Sequence, residues 1–364
     1  MEVLFNIAAF IFVLTVIVFI HEYGHYYIAR INGVKVEAFS IGFGKELFGW
    51  NDKHGTRWKI CAIPMGGYVK MFGDINPASV PDDEQIKAFT KEEEEVAFHS
   101  KKLSQKTAIV SAGPIANFIL SIVILSVLFA FVGKSTTLPE VSAIAPDSAA
   151  EAAGLQEGDM ILEIDGEGVR TFADLQRIIG INTGTEVGIK LDRGGEIVNV
   201  AVTPRITERE DAFGNPVKTP LLGVMSTAMS YEKLSLVKAP IEAVRETYNI
   251  GKSTLIAVGQ MIVGKRSATE ISGPIGIAKY SGQSAKRGVE TLFWFMAVLS
   301  INLGLINLFP IPVLDGGHLL YYGIEAVRGK PMADKYQQYG FKIGIALVAT
   351  LAIFAIVNDI LKLF

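Results

Sequence analysis

Four stretches of the chain, residues 3–20, 108–132, 292–313 and 340–357, are almost continuously apolar, with Lys342 their one charged side chain. At a rise of about 1.5 Å per residue, each suffices as a helix for roughly 30 Å of hydrocarbon. Four transmembrane helices follow. Between the first two, residues 36–50 and 56–71 are Gly-punctuated and strand-prone around a turn at 51–55, which predicts a β-hairpin. Its apolar residues Phe39, Ile41, Phe43, Ile60, Ile63 and Met65 associate it with the membrane, where protein or a wet cavity must satisfy its backbone. Residues 74–102 are polar and acidic and read as a solvated loop or helix face.

The pattern changes after the second apolar block. Short alternating strands at 160–164, 187–191 and 197–202, Gly-rich turns and an amphipathic helix at 172–179 predict an inserted α/β module over 138–226. Further on, Val237, Ile241, Val244, Tyr248, Leu255, Val258 and Ile262 form a helical stripe, interrupted at Gly251, whose polar opposite face suits a helix lying in the membrane interface. The expected architecture is a polytopic α-helical membrane protein with a membrane-associated β-hairpin and one inserted extracytoplasmic domain. Its divisions are 1–32 (first helix), 33–107 (hairpin and acidic loop), 108–133 (second helix), 138–226 (module), 232–264 (interfacial helix), 289–324 (third helix region) and 339–358 (fourth helix).

Charge orients this architecture. The start of the chain has no Lys or Arg, whereas Arg30 and Lys35 follow the first helix, Lys101, Lys102 and Lys106 precede the second, and Arg328, Lys330 and Lys335 separate the third from the fourth. Basic loops stay inside, so the termini and the module are expected outside, on a multi-pass protein of a bacterial inner membrane. The first block lacks a basic leader and a small-residue cleavage site and reads as a retained helix. A hydrophobic share of 50% and a mean hydropathy of +0.36 agree with a membrane chain. A net charge of −3 without a basic stripe excludes a nucleic-acid partner. The single cysteine, Cys61, excludes an internal disulfide and a cysteine metal cluster, so any metal must be held by His, Asp or Glu.

Such residues stand at the end of the first apolar helix, in His21-Glu22-Tyr23-Gly24-His25. Residues four apart share a helix face, so both imidazoles can reach one Zn²⁺, with Glu22 beside them to meet a water at the metal. Ionisable side chains at membrane depth cost at least ~2.5 kcal/mol each on insertion scales, which makes a functional purpose the default reading. A third ligand is expected on another membrane helix. Asp315, in Leu314-Asp315-Gly316-Gly317-His318, is the natural candidate, with His318 as an alternative or a supporting partner. Two histidines and one carboxylate leave a fourth position open, the pattern of hydrolytic zinc. The segment 61–69 lies next to Gly66-Gly67 and suits a membrane site, so it is expected to pair with an extended substrate, with Ile63, Gly66 and Gly67 as contacts. Two rival classes remain, a scaffold with a vestigial metal site and a zinc-responsive channel. The complete set of ligands and base speaks against the first, and the scarcity of polar residues along the outer helices speaks against the second.

Taken together, His21 to His25, Leu314 to Gly317 and the intervening module resemble the site-2 protease family, in its RseP-type bacterial branch. Residues 39–44, 64–70, 113–117 and 272–276 and Asn307-Leu308-Phe309-Pro310-Ile311-Pro312 carry the resemblance further. It implies an intramembrane zinc metalloprotease with His21, His25 and Asp315 as zinc ligands, Glu22 as general base and Asn302 on the substrate backbone. It also implies regulated cleavage of single-pass membrane proteins, anti-sigma factors and signal-peptide remnants among them, after an upstream site-1 protease. The module resembles one PDZ domain, where bilobed members of the branch carry two. Leu222, Gly223 and Val224 would form its carboxylate-binding loop.

Overall fold

The computed structural model describes residues 2–73, 89–182, 184–210, 216–227, 229–330 and 332–362. Most of the acidic stretch expected after the hairpin, residues 74–88, lies outside them. The chain forms two compact units, Met1–Ile124 with Ile271–Phe364, and Leu125–Glu270.

The first unit begins with α1 (Glu2–Ile31), β1 (Val36–Asn51), β2 (Arg57–Met71), the short α2 (Lys91–Val96) and α3 (Leu103–Val127), which leads out of it. On α1 the buried residues Val13, Ile17, His21, His25 and Ala29 recur every fourth position, so one inward stripe is apolar at its start and carries both histidines further on. β1 and β2 form a hairpin that folds back on itself. Phe39 lies opposite both Val69 and Trp58, Ser40 opposite both Tyr68 and Lys59, and Ile41 opposite both Gly67 and Ile60. The middle of β1 is thus flanked on both sides, and no other described strand joins this sheet. The later part of β2 keeps an unpaired outer edge.

Asp52 ties the hairpin turn to α1. Its Oδ1 accepts from the backbone N–H groups of His54 (2.8 Å) and Thr56 (3.0 Å), and its Oδ2 from the Tyr26 hydroxyl (2.9 Å) and the Trp58 indole (3.0 Å). Around this carboxylate, Phe39 stacks on Trp58 with ring centroids 4.3 Å apart and meets Tyr26 edge-on at 5.8 Å.

In the second unit, β3 (Lys134–Thr137) and β4 (Ala143–Ile144) precede the single turn of α4 (Ala149–Ala152). Then come β5 (Met160–Ile164), β6 (Glu167–Gly168), α5 (Phe172–Gly180), β7 (Val187–Arg193), β8 (Glu196–Val202), β9 (Arg205–Glu210), β10 (Pro216–Leu221), β11 (Val224–Met225), β12 (Met229–Glu232) and α6 (Lys238–Ile262). A sheet of order β6-β5-β7-β8 packs Ile161, Ile164, Ile189, Leu191 and Val202 against Leu175 and Ile179 of α5. Thr171 opens that helix with a full capping box to Asp174. Arg193 grips the buried Asp159 with two bonds of 2.7 Å and holds its carboxyl below the usual carboxylate range.

α6 runs unbroken through Gly251 and turns its small residues Ala239, Ala243, Thr247 and Gly251 inward. Lys134 pairs with Glu242 at 3.0 Å, and Lys252 with Glu167 at 3.0 Å. Val237, Ile241, Val244, Tyr248, Leu255 and Ile262 are left exposed.

Back in the first unit, α7 (Pro274–Arg287) packs along α1, and α8 (Val289–Asn307) follows it. The third apolar block is not one helix. Pro310 and Pro312 cannot donate to a helix ladder and push the residues before them toward extended conformations, so α8 stops at Asn307 and a loop follows. α9 (Asp315–Arg328) then starts afresh, and α10 (Asp334–Leu361) closes the unit. The sequence reading placed Asp315 on a membrane-crossing helix, whereas it is the first residue of a separate one. Gly316 and Gly317 are required there, since a Cβ on Gly317 would lie 2.5 Å from the Ile311 carbonyl oxygen of the loop. Among the described residues, four helices are long and apolar enough to cross a membrane: Glu2–Ile31, Leu103–Val132, Val289–Asn307 and Lys335–Leu361.

Burial opposes the charge of Asp52, but its donors prevail and hold the carboxyl down to about 2. A folded value below the unfolded one near 4 contributes stability fully above that pH and loses it as pH falls through about 2. Asp52→Asn should therefore destabilise the detergent-solubilised protein at pH 7 by about 1.5–3 kcal/mol, the range for bonds to a charged group, and so lower its thermal midpoint. Melting curves of both proteins should converge between about pH 4 and pH 2. A gap undiminished from pH 7 to pH 2 contradicts the account.

Candidate metal centre

The fold brings together two segments almost three hundred residues apart. His21 and His25 leave the buried stripe of α1 one turn apart, and Asp315 enters from the first turn of α9, where a carboxylate also suits the positive end of the helix. His21 Nε2 lies 3.2 Å from His25 Nε2 and 3.2 Å from Asp315 Oδ2, and His25 Nε2 lies 3.5 Å from Asp315 Oδ1. Tetrahedral zinc with bonds of about 2.0–2.1 Å would set its ligand atoms roughly 3.3 Å apart. Asp315 Oδ2 is buried without a hydrogen-bond partner, the condition of an oxygen aimed at a cation. Among the described residues these three form the one His/Cys/Asp/Glu group close enough to hold a metal. The donor set therefore fits zinc.

Supporting groups surround the triangle. His25 Nδ1 lies 2.9 Å from the Ile109 carbonyl of α3, which leaves its Nε2 for the centre. His21 Nδ1 faces the side-chain amide of Asn117, 3.1 Å away. On the open side, Asn307 Nδ2 is 3.5 Å from His21 Nε2. Gly113 of α3 lies directly against both ligands, and a Cβ there would stand 2.9 Å from His21 Cε1 and closer still to His25. Any other residue at 113 would displace them.

Glu22 sits beside the histidines and borders the hairpin. A Cβ on Gly67 would meet Glu22 Cγ at 3.1 Å, Val18 Cγ1 at 2.9 Å and the Ser40 carbonyl oxygen at 2.7 Å. Only glycine lets β2 approach α1 this closely, so β2 passes next to Glu22 at Gly67. Ile63, four residues away, is exposed and lies opposite Phe43. Gly66 has φ 88°, the left-handed region, and bends the strand there.

The remaining residues singled out in the sequence fall elsewhere. Asn302 is half-buried in α8, five residues and thus about 7.5 Å of helix rise before Asn307. His318 lies in the first turn of α9 outside the ligand triangle. In the second unit, Leu222 belongs to the module core, and its carbonyl accepts from Ala150 N–H at 2.8 Å. Gly223 has φ 85° and accepts from Ala145 N–H at 2.8 Å, while Val224 opens β11 and pairs with Ile144. Sequence reasoning missed Asn117, Asn307 and Gly113 as members of the centre. Asn307 stood inside a quoted motif, and a polar side chain eight residues before a candidate ligand was its one signal.

Two imidazoles, one carboxylate and an adjacent glutamate on a chain of membrane-length helices define a metalloprotease built on membrane helices. The chain belongs to peptidase family M50, the site-2 protease family, whose model matches residues 9–351. A Rhizobium meliloti (strain 1021) protein bearing the name putative zinc metalloprotease is 43% identical over 364 residues, with 99% of this chain and 97% of its own covered. Metalloprotease MmpA of Caulobacter vibrioides is 37% identical over 380 residues, with 98% and 96% covered. The PDZ domain of the SdrC-like protein from Listeria monocytogenes matches 24% of this chain and 85% of its own, at 25% identity and a TM-score of 0.20. This chain is a zinc metalloprotease of family M50.

Proposed function

We propose that this metalloprotease cleaves single-pass membrane proteins within or at the edge of the bilayer, with His21, His25 and Asp315 as zinc ligands and Glu22 as general base. The carrying observation is the close approach of β2, at Gly67, to Glu22, in a sheet to which no further described strand adds.

A transmembrane substrate presents a helix whose carbonyls are engaged in its own hydrogen bonds, so it must become extended before hydrolysis. The outer edge of β2 can accept it as an added strand and replace lost helix bonds with cross-strand bonds. Bound zinc supplies Lewis-acid polarisation of the scissile carbonyl and makes a water more acidic. Glu22 takes the proton from the attacking water as its oxygen bonds to the carbonyl carbon, then delivers that proton to the amine as the C–N bond breaks. The Asn307 amide, 3.5 Å from His21 Nε2, supports a role as donor to the carbonyl oxygen as negative charge builds on it.

Regulated cleavage after a site-1 protease, with anti-sigma factors or signal-peptide remnants as substrates, is the role this reading assigns, in a bacterial inner membrane with the PDZ-like module outside. Asn302 contacts the substrate backbone in this scheme, and the Leu222 to Val224 loop captures a carboxylate or limits access. The exposed apolar stripe of α6 suits the outer lipid surface.

Glu22→Gln should retain one zinc per chain and abolish cleavage, because it removes the base and leaves the ligands. Metal analysis and a gel-based cleavage assay decide the matter, and an active Glu22→Gln protein, or zinc kept after His21 and His25 both become Ala, overturns the assignment. Proline removes one backbone N–H, so a proline scan over residues 63–69 should reduce cleavage at alternate positions with zinc content unchanged. Uniform tolerance, or losses that only follow loss of zinc, would exclude this edge as the substrate's partner.

A further inference from the structure

The element Gly113 to Asn117 of α3 is rich in small residues that let helices approach closely, and its last residue meets the metal centre. Asn117 is fully buried, and its Nδ2 is placed 3.1 Å from His21 Nδ1. Its other amide atom, Oδ1, is buried with no hydrogen-bond partner. These two facts conflict with the ligand assignment in the same way. If His21 binds zinc through Nε2, its Nδ1 must carry the ring proton and needs an acceptor, not a donor. The oxygen and nitrogen of an amide are assigned from their surroundings, and a half-turn about the last side-chain bond exchanges them. That exchange puts Oδ1 opposite the Nδ1 proton, so the buried oxygen gains a donor, and turns the amide N–H groups to the side where Oδ1 stood.

The backbone holds the residue for this task. The Asn117 carbonyl accepts from Ser121 Oγ at 3.0 Å and from Ser300 Oγ at 2.9 Å, and Ser121 Oγ also bonds the Ala297 carbonyl at 2.9 Å. All three side chains are completely buried. A serine of α8 and one of α3 thus converge on the peptide that carries the amide, so Asn117 keeps its place between α1 and α8. Four residues upstream, Gly113 provides the space in which both imidazoles lie.

We infer that Asn117 is a positioning residue whose side-chain oxygen accepts the His21 Nδ1 proton and thereby fixes the tautomer that offers Nε2 to zinc. The inference rests on the proposed ligand set. Its chemistry is that of the acceptor behind a metal-bound imidazole, whose loss typically weakens metal binding about 10–100-fold.

Asn117→Asp and Asn117→Leu separate the possibilities, because aspartate offers an oxygen in either orientation whereas leucine offers nothing. Full-length protein in detergent, loaded with zinc, is titrated with a chelator, and the thermal midpoint of each metal-free variant serves as the folding control. Asn117→Leu should lose zinc about 10–100-fold more readily than the unaltered protein, with Asn117→Asp within a few-fold of it. Equal zinc affinity in Asn117→Leu, or an Asn117→Asp that folds yet is as weak as Asn117→Leu, overturns the inference. Should the leucine variant not fold, ¹⁵N-histidine NMR of the unaltered zinc-loaded protein decides: His21 must show a metal-bound Nε2 and a slowly exchanging Nδ1 proton, and coordination through Nδ1 overturns it. His21→Ala, run alongside, keeps the two readings distinguishable, since full zinc retention there defeats the ligand assignment itself.

Discussion

Two imidazoles and a carboxylate, withdrawn from water among apolar helices, need a compensating positive charge, carried by a ring proton or by a metal cation. Removing one of them leaves a buried polar group uncompensated, and burying all three without a cation leaves Asp315 Oδ2 without a partner. The rest of the first unit is arranged around this demand. α1 supplies a straight inward stripe, α3 gives way at Gly113, and the break after Asn307 frees the chain to bring Asp315 in at a helix start.

The same constraint explains the crowding of glycine near the centre. At Gly113 His21 and His25 occupy the space a side chain would take, and at Gly67 the hairpin comes within contact of Glu22. β2 reaches Glu22 only because it lacks a side chain at Gly67. The Tyr26 and Trp58 bonds to Asp52 tie the hairpin turn to α1, the helix that carries both histidines.

The parts legible in the sequence were those with a local period. The four-residue spacing of His21 and His25 within an apolar run, the strand alternation of the module and the stripe of α6 all follow from neighbours along the chain. What stayed hidden depends on distant partners. The doubling of strand contacts along residues 39–41 has no local mark, and Asn117 reads as one polar residue in a small-residue helix until α1 is packed against it. The end of α8 was announced by Pro310 and Pro312, but the apolar character of the block outweighed them in a reading based on hydropathy.

The central claim is that one zinc is held by two histidines and one aspartate drawn from opposite ends of the chain. X-ray absorption at the zinc edge of the purified full-length protein tests it most directly. The account predicts two imidazole nitrogens and light oxygen ligands at about 2.0–2.1 Å, with no sulfur. A sulfur ligand near 2.3 Å, which only Cys61 or a methionine could supply, or a third imidazole in place of the carboxylate, would contradict it.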